Sequence, residues 1–271
     1  TTEIYTLSLH DALPIFLEMI NLKTTGEGIP FVFQHGLGAN VGQVEQLVSG
    51  IKGIKWVYMD MPGHGNSALA KEAVPSFDFY VDQLVEALNA KGIEKAHFGG
   101  ISMGAGISIN MALRYPEKVK SLFLVRPAWI DEGNPAHLRI LSEAAELMSF
   151  SDGIEKFQQE VSFQAINKEI PNAGQSLLTI FNPEQQKELP IVLKAMVNDK
   201  PYAQLTALQK LALPSTVIGN DDDPLHPYDI AETTHQNIPG SVLNKVTSRY
   251  VDGTLHQKEI TEHIKKHLLH I

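Results

Sequence analysis

The stretch Ala96 to Ser108 constrains this chain more than any other. Ala96 to Gly100 reads as a short apolar strand, and Gly104 onward as a helix carrying Ile107, Met111 and Leu113. Between them lies Gly100-Ile101-Ser102-Met103-Gly104, a G-x-S-x-G pattern. A serine on so tight a strand-to-helix turn is forced into strained backbone geometry. Only very small neighbours let the two segments approach, and Gly99, Gly100, Gly104, Ala105 and Gly106 supply them. Such a turn lifts the hydroxyl of Ser102 off a sheet and sets a helix N-terminus beneath it. Backbone N–H groups there can stabilise a developing oxyanion.

The rest of the chain repeats the strand–helix rhythm. Strands are expected over Phe16 to Lys23, Pro30 to Gln34, Lys55 to Met59, Ser121 to Val125, Ser215 to Gly219 and Val242 to Val246. Thr24 to Gly28 reads as a turn. Ser76 caps a helix whose apolar residues Val81, Leu84, Val85 and Leu88 fall at i, i+3, i+4 and i+7, and Gly92 ends it. Short continuous apolar strands between helices predict a mostly parallel, doubly wound sheet covered on both faces. The rhythm breaks after Trp129. Over residues 130–211 helical patterns dominate, at His137 to Met148, Ile154 to Gln164 and Glu184 to Val197. Helices inserted between two strands of one sheet imply a lid over its C-terminal edge, where open α/β sheets bind ligands. The core then comprises residues 16–129 and 212–271. Asp252 to His256 reads as a loop, and Glu259 to Leu269 as a closing helix with Ile260, Ile264 and Leu268 inward.

Thr1 to Ile15 stands apart. It contains Thr-Leu-Ser-Leu-His-Asp-Ala-Leu-Pro-Ile, which one reading frame of a common short-read sequencing adapter encodes. It is expected to be a fusion scar on a gene from environmental DNA and is left out of the fold. A secretion signal is the rival reading, but the segment lacks a basic start and carries Glu3 and Asp11. The chain is expected to be cytoplasmic. Its net charge of −9 argues against a nucleic-acid partner or an anionic membrane surface, and no apolar run approaches the length of a membrane span. With no cysteine, a disulfide, a thiolate metal site and a cysteine nucleophile are all excluded.

The remaining motifs fall at strand ends. They are His35-Gly36, Asp60-x-Pro-Gly-His-Gly-x-Ser67, Asp223-x-x-x-Pro227 and His256. Together with the turn at Ser102 they resemble the α/β-hydrolase superfamily, in its lidded serine-esterase-like branch. The resemblance runs from about Met19 to the C-terminus. It implies a triad of Ser102, Asp223 and His256, in that chain order, with the N–H groups of Leu37 and Met103 as the oxyanion hole. Chemistry fills the roles. A serine hydroxyl needs a base to take its proton, and that base needs a carboxylate to fix its tautomer. The implied reaction is hydrolysis of a small apolar carboxylic ester through an acyl-enzyme, with no cofactor. A C–C bond hydrolase, a lactonase, an acyltransferase and a perhydrolase use the same triad and stay open, as does a low-turnover receptor on the same scaffold.

The acid is one of three adjacent aspartates. Asp223 fits the spacing to Pro227, and Pro224 restricts it to extended backbone, whereas counting from Gly219 selects Asp222. Arg126 and Trp129, just past a strand, are candidate substrate-binding residues. His35, Asp60, His64 and Ser67 read as loop supports. His263 and His267 are spaced for one metal, but they fall on the polar side of the closing helix, so no metal site is assigned.

Overall fold

The computed structural model describes residues 20–182 and 187–269. Their strands are β1 (Leu22–Thr25), β2 (Ile29–Gln34), β3 (Ile54–Met59), β4 (Ala96–Ile101), β5 (Val119–Val125), β6 (Ser215–Gly219) and β7 (Val242–Lys245). They form one seven-stranded sheet in the order β1-β3-β2-β4-β5-β6-β7. Only β1 runs antiparallel to its neighbour, with Leu22 opposite Met59 and Thr25 opposite Trp56. The first strand therefore sits later than its apolar run implied. Thr24 and Thr25, expected in a turn, pair along β3, and the turn shifts to Gly26 and Gly28 at φ +73° and +117°. The Thr1 to Ile15 segment lies outside the described residues.

Alternation along the strands builds a core on each face. On β2 and β5, Phe31, Phe33, Phe123 and Val125 face Val44 and Leu47 of α1 (Val41–Val48) and Ile260 and Ile264 of the closing helix. Val32, Leu122 and Leu124 face the other way, onto α2 (Phe77–Ala90) and α3 (Met103–Arg114). Ser76 caps α2 as expected, its hydroxyl accepting from Phe79 N at 3.0 Å.

Between β5 and β6 the described chain is helical: α4 (Arg139–Leu147), α5 (Gly153–Gln159), α6 (Val161–Glu169), α7 (Pro171–Leu178) and α8 (Leu189–Asn198). The helix expected over Ile154 to Gln164 is broken at Glu160, whose ψ of 136° is extended. The sequence pattern also missed α7, which starts with proline at its first position. Helix α9 (Tyr228–Asn237) follows β6, and α10 (Gly253–Leu269) closes the chain. Helix α10 begins earlier than expected and takes in His256. Asp252 sets this start by accepting from Leu255 N at its side chain (2.9 Å) and from His256 N at its carbonyl (2.9 Å).

His267 corrects another expectation. It is buried on the inner side of α10, one heptad after Ile260. Its Nε2 meets the Ser121 hydroxyl at 2.8 Å and its Nδ1 meets Thr216 Oγ1 at 2.9 Å, so a polar ring occupies a core position with both nitrogens bonded. Ser121 also meets His97 Nδ1 at 2.8 Å. Burial pushes the His97 imidazole down to about 4, with the charge of Lys120 acting in the same direction. An unfolded histidine titrates near 6.5, so between about pH 6.5 and 4 the unfolded chain holds a proton that the folded one lacks. Stability therefore falls as pH drops through that window. The melting temperature, read by circular dichroism from pH 7 to 4.5, is expected to decline, and less steeply in His97→Asn.

Candidate active site

The site begins with a steric constraint. A Cβ on Gly104 would lie 2.3 Å from the Gln34 carbonyl oxygen of β2, and one on Gly100 would lie 2.4 Å from Gly104 itself. Helix α3 can leave β4 this close to β2 only because both residues are glycine. The turn leaves Ser102 at φ 57°, ψ −111°, a left-handed conformation that costs a non-glycine residue about 1–3 kcal/mol. It holds because Ser102 N donates to the Val125 carbonyl at 2.9 Å and the Ser102 carbonyl accepts from Ala105 N at 2.9 Å.

Ser102 opens into a cleft of about 250 Å³. Its floor is Leu37, Gly38 and Ile101, and its roof is the helical insert, through Leu138, Leu141, Leu177 and Ile180. Among the described residues, the N–H groups of Leu37 and Met103 donate to no protein acceptor, as the mouth of an oxyanion site requires. The loop carrying Leu37 is braced by Gln43, whose Oε1 accepts from Gly36 N at 2.8 Å.

The loop motifs hold this floor in place. Buried Asp60 accepts from Val41 N (2.6 Å), Asn66 N (2.9 Å) and Asn21 Nδ2 (2.7 Å), tying three segments to one carboxylate. His35 donates from Nδ1 to the Gly36 carbonyl (2.8 Å) and accepts at Nε2 from Met61 N (3.0 Å). That pattern requires the neutral ring, and burial lowers its pKa accordingly. Ser67 Oγ accepts from Asn21 N at 2.8 Å.

Of the three aspartates after β6, only Asp223 turns inward. Asp221 pairs with Lys245 at the surface, and Asp222, at φ 52°, is exposed. The buried Asp223 carboxylate receives Arg126 at Oδ2 (2.9 Å) and His226 Nδ1 at Oδ1 (2.9 Å). Burial alone would raise its pKa. The hydrogen bond from His226 and the guanidinium of Arg126 overcome this and hold the carboxyl below the usual carboxylate range. His226 lines the Ser102 cleft.

His256 lies in an adjoining hollow with Arg126, Arg249 and Gln43. Its Nδ1 donates to the Thr247 carbonyl at 2.7 Å, leaving Nε2 as the acceptor. Both Asp223 oxygens are thus engaged elsewhere, and the expected Asp223–His256 hydrogen bond is absent from this geometry. Burial pushes the His256 pKa down to about 4, helped by the positive charge of Arg126.

Arg126, at φ 49°, is 4% exposed and lines both hollows. Trp129 does not reach the cleft. It is buried edge-on against Phe77, ring centroids 5.3 Å apart, and belongs to the core. An aromatic residue four positions past a strand could point either way, and the contact with α2 decides it. Two residues of the site escaped the sequence reading. His226 sits within the Asp223-x-x-x-Pro227 motif, at the i+3 spacing that could have singled it out. Arg249 has no such signal, since it lies in a loop whose path the sequence does not reveal.

A parallel sheet with one antiparallel edge, and a strained serine at the β4–α3 turn, define a hydrolase architecture. The family model for the alpha/beta hydrolase fold matches residues 29–252, and the chain belongs to that family. It is 27% identical over 227 residues to Lipase 3 of Moraxella sp. (strain TA144), covering 81% of this chain and 70% of that one. It is 28% identical over 206 residues to Lipase 1 of Psychrobacter immobilis, covering 73% of this chain and 63% of that one. Among solved structures, the enol-lactonase from Burkholderia xenovorans LB400 superposes with a TM-score of 0.73 at 15% identity, over 92% of this chain and 96% of that one. The protein is an α/β-fold hydrolase. Among the described residues, no helix is long and apolar enough to cross a membrane.

Asp223 is the carboxylate partner of buried Arg126, so removing either leaves an uncompensated charge. Arg126→Met and Asp223→Asn are each expected to destabilise the fold by about 3–5 kcal/mol. The double variant should cost clearly less than the sum, as a urea-denaturation cycle would show. Additive losses would mean the pair is not coupled.

Proposed function

We propose that this protein hydrolyses carboxylic esters by a two-step acyl-enzyme route. The carrying observation is the strained Ser102 at the N-terminus of α3, opening into a cleft that Leu37 also lines, with the N–H groups of Leu37 and Met103 free of protein acceptors among the described residues. Ser102 attacks the carbonyl, and the two amides receive the oxyanion. His256 takes the serine proton, delivers it to the leaving alcohol, and then activates water. The Thr247 carbonyl keeps His256 Nδ1 protonated and Nε2 basic, which is the tautomer a base needs. Asp223 supplies the negative charge that steadies the imidazolium, and Arg126 lines the substrate side. Residues 130–211 serve as the lid over this cleft. The two lipase relatives support ester chemistry. The cleft volume favours short acyl and alcohol groups over long chains.

A second reading of the base has its own support. His226 shares the Ser102 cleft and is hydrogen-bonded to Asp223, the arrangement a relay would use. Substitution separates the two. Ser102→Ala should lower hydrolysis of a short chromogenic ester on the order of 10⁴-fold or more with the fold intact. His256→Ala should match that loss and His226→Ala should not. The reverse order would transfer the role to His226, and near-full activity in Ser102→Ala would overturn the nucleophile.

The pH profile follows from the same geometry. The base must be neutral, and burial holds His256 neutral down to about pH 4. The acid limb of kcat/KM is therefore expected near pH 4, well below the 6 to 7 of an unperturbed imidazole. A limb near pH 6.5 in the free enzyme would contradict this.

A further inference from the structure

The cleft beside Ser102 carries more positive than negative charge. Two guanidiniums line it, those of Arg126 and Arg249. Asp223 neutralises Arg126 at 2.9 Å. Arg249 has no carboxylate partner among the described residues. Its NH2 donates to Ser176 Oγ of α7 (2.7 Å) and to Tyr250 OH (2.9 Å), both neutral acceptors. Its guanidinium carbon lies 4.6 Å from the centre of the Tyr250 ring. The Nε atoms of both arginines are buried without a protein acceptor. The imidazoles nearby do not change the balance. His137, His226 and His256 are all pushed down, in each case chiefly by burial, and are neutral near pH 7.

A partly buried cation with unused donors favours an anion that can restore the balance. A guanidinium presents donors in a planar fork that matches a carboxylate, and Arg249 is held in place by α7 on one side and Tyr250 on the other. The volume of about 250 Å³ leaves room for a small molecule only.

From this, and resting on the esterase reading above, we propose that the substrate is a short ester that also bears a free carboxylate, which Arg249 and Arg126 receive while Ser102 attacks the ester carbonyl. Arg249 is then a specificity-determining residue.

Binding tests this without turnover. Monomethyl succinate and methyl succinamate differ only in a carboxylate against a neutral amide of the same shape. Calorimetry on Ser102→Ala protein is expected to show the half-ester binding on the order of 10- to 100-fold tighter, the scale of one charge-assisted hydrogen-bonded pair. The preference should collapse in Ser102→Ala/Arg249→Gln and return in part in Ser102→Ala/Arg249→Lys. Equal affinities for the two ligands, or a preference that survives loss of Arg249, would overturn the proposal. Turnover of both methyl esters by the protein with Ser102 intact reads the esterase assignment separately. If neither is cleaved that assignment fails, and the binding comparison still decides whether the cleft selects an anion.

Discussion

The approach of α3 to β2 is the constraint on which the rest of the structure depends. Gly104 lies where any side chain would strike the Gln34 carbonyl, and Gly100 lies where a side chain would strike Gly104. Because the helix is pressed against two strands, Ser102 cannot relax out of its left-handed conformation. The strain is maintained by packing on both faces of the sheet rather than by the turn alone. The same proximity brings the start of α3 beside the loop after β2, so Ser102 and Leu37 line one cleft. A sheet of another strand order would separate them.

Charge is arranged around that turn in two ways. Asp60 is surrounded by amide donors and fastens the loops under the cleft. Asp223 instead takes a guanidinium and an imidazole in a buried setting, where breaking one contact leaves the others unbalanced. The first arrangement is architecture. The second ties the position of a loop to the electrostatics around Ser102, since Arg126 lines the hollows of both Ser102 and His256.

The fold was legible because its signals are local. Strand and helix periods, the glycines around Ser102 and the Asp223–Pro227 spacing all act within a few residues of chain. Pro224 restricts Asp223 locally, but the inward turn of Asp223 beside two outward aspartates also needs the positive φ of Asp222, which breaks simple alternation. What the sequence left hidden was set by distant partners. Trp129 is in the core because Phe77 lies opposite it. His267 is inward because Ser121 and Thr216, on two separate strands, satisfy its ring. Arg249 joins the site because a loop after β7 meets α7 of the insert. The start of α10 is an intermediate case, since the capping by Asp252 is local but competes with the loop signal of Gly253.

The insert is fixed by the same kind of contact as the loops beneath it. Helix α8 is flanked by Glu188 and Asp199, and each reaches across to the core. Glu188 accepts from Leu69 N at 3.0 Å, and Asp199 accepts from Phe77 N, at the start of α2, at 2.6 Å. Two bonds at opposite ends of one helix define its direction as well as its position. On the other side of the cleft, Asn172 donates to the Tyr250 carbonyl at 2.8 Å and Arg249 donates to Ser176. The roof is therefore held by acidic groups at one edge and by a cationic loop at the other. Displacing α7 would withdraw an acceptor from Arg249 as well as widen the cleft. The position of the roof and the charge presented to a ligand are thus consequences of one set of hydrogen bonds.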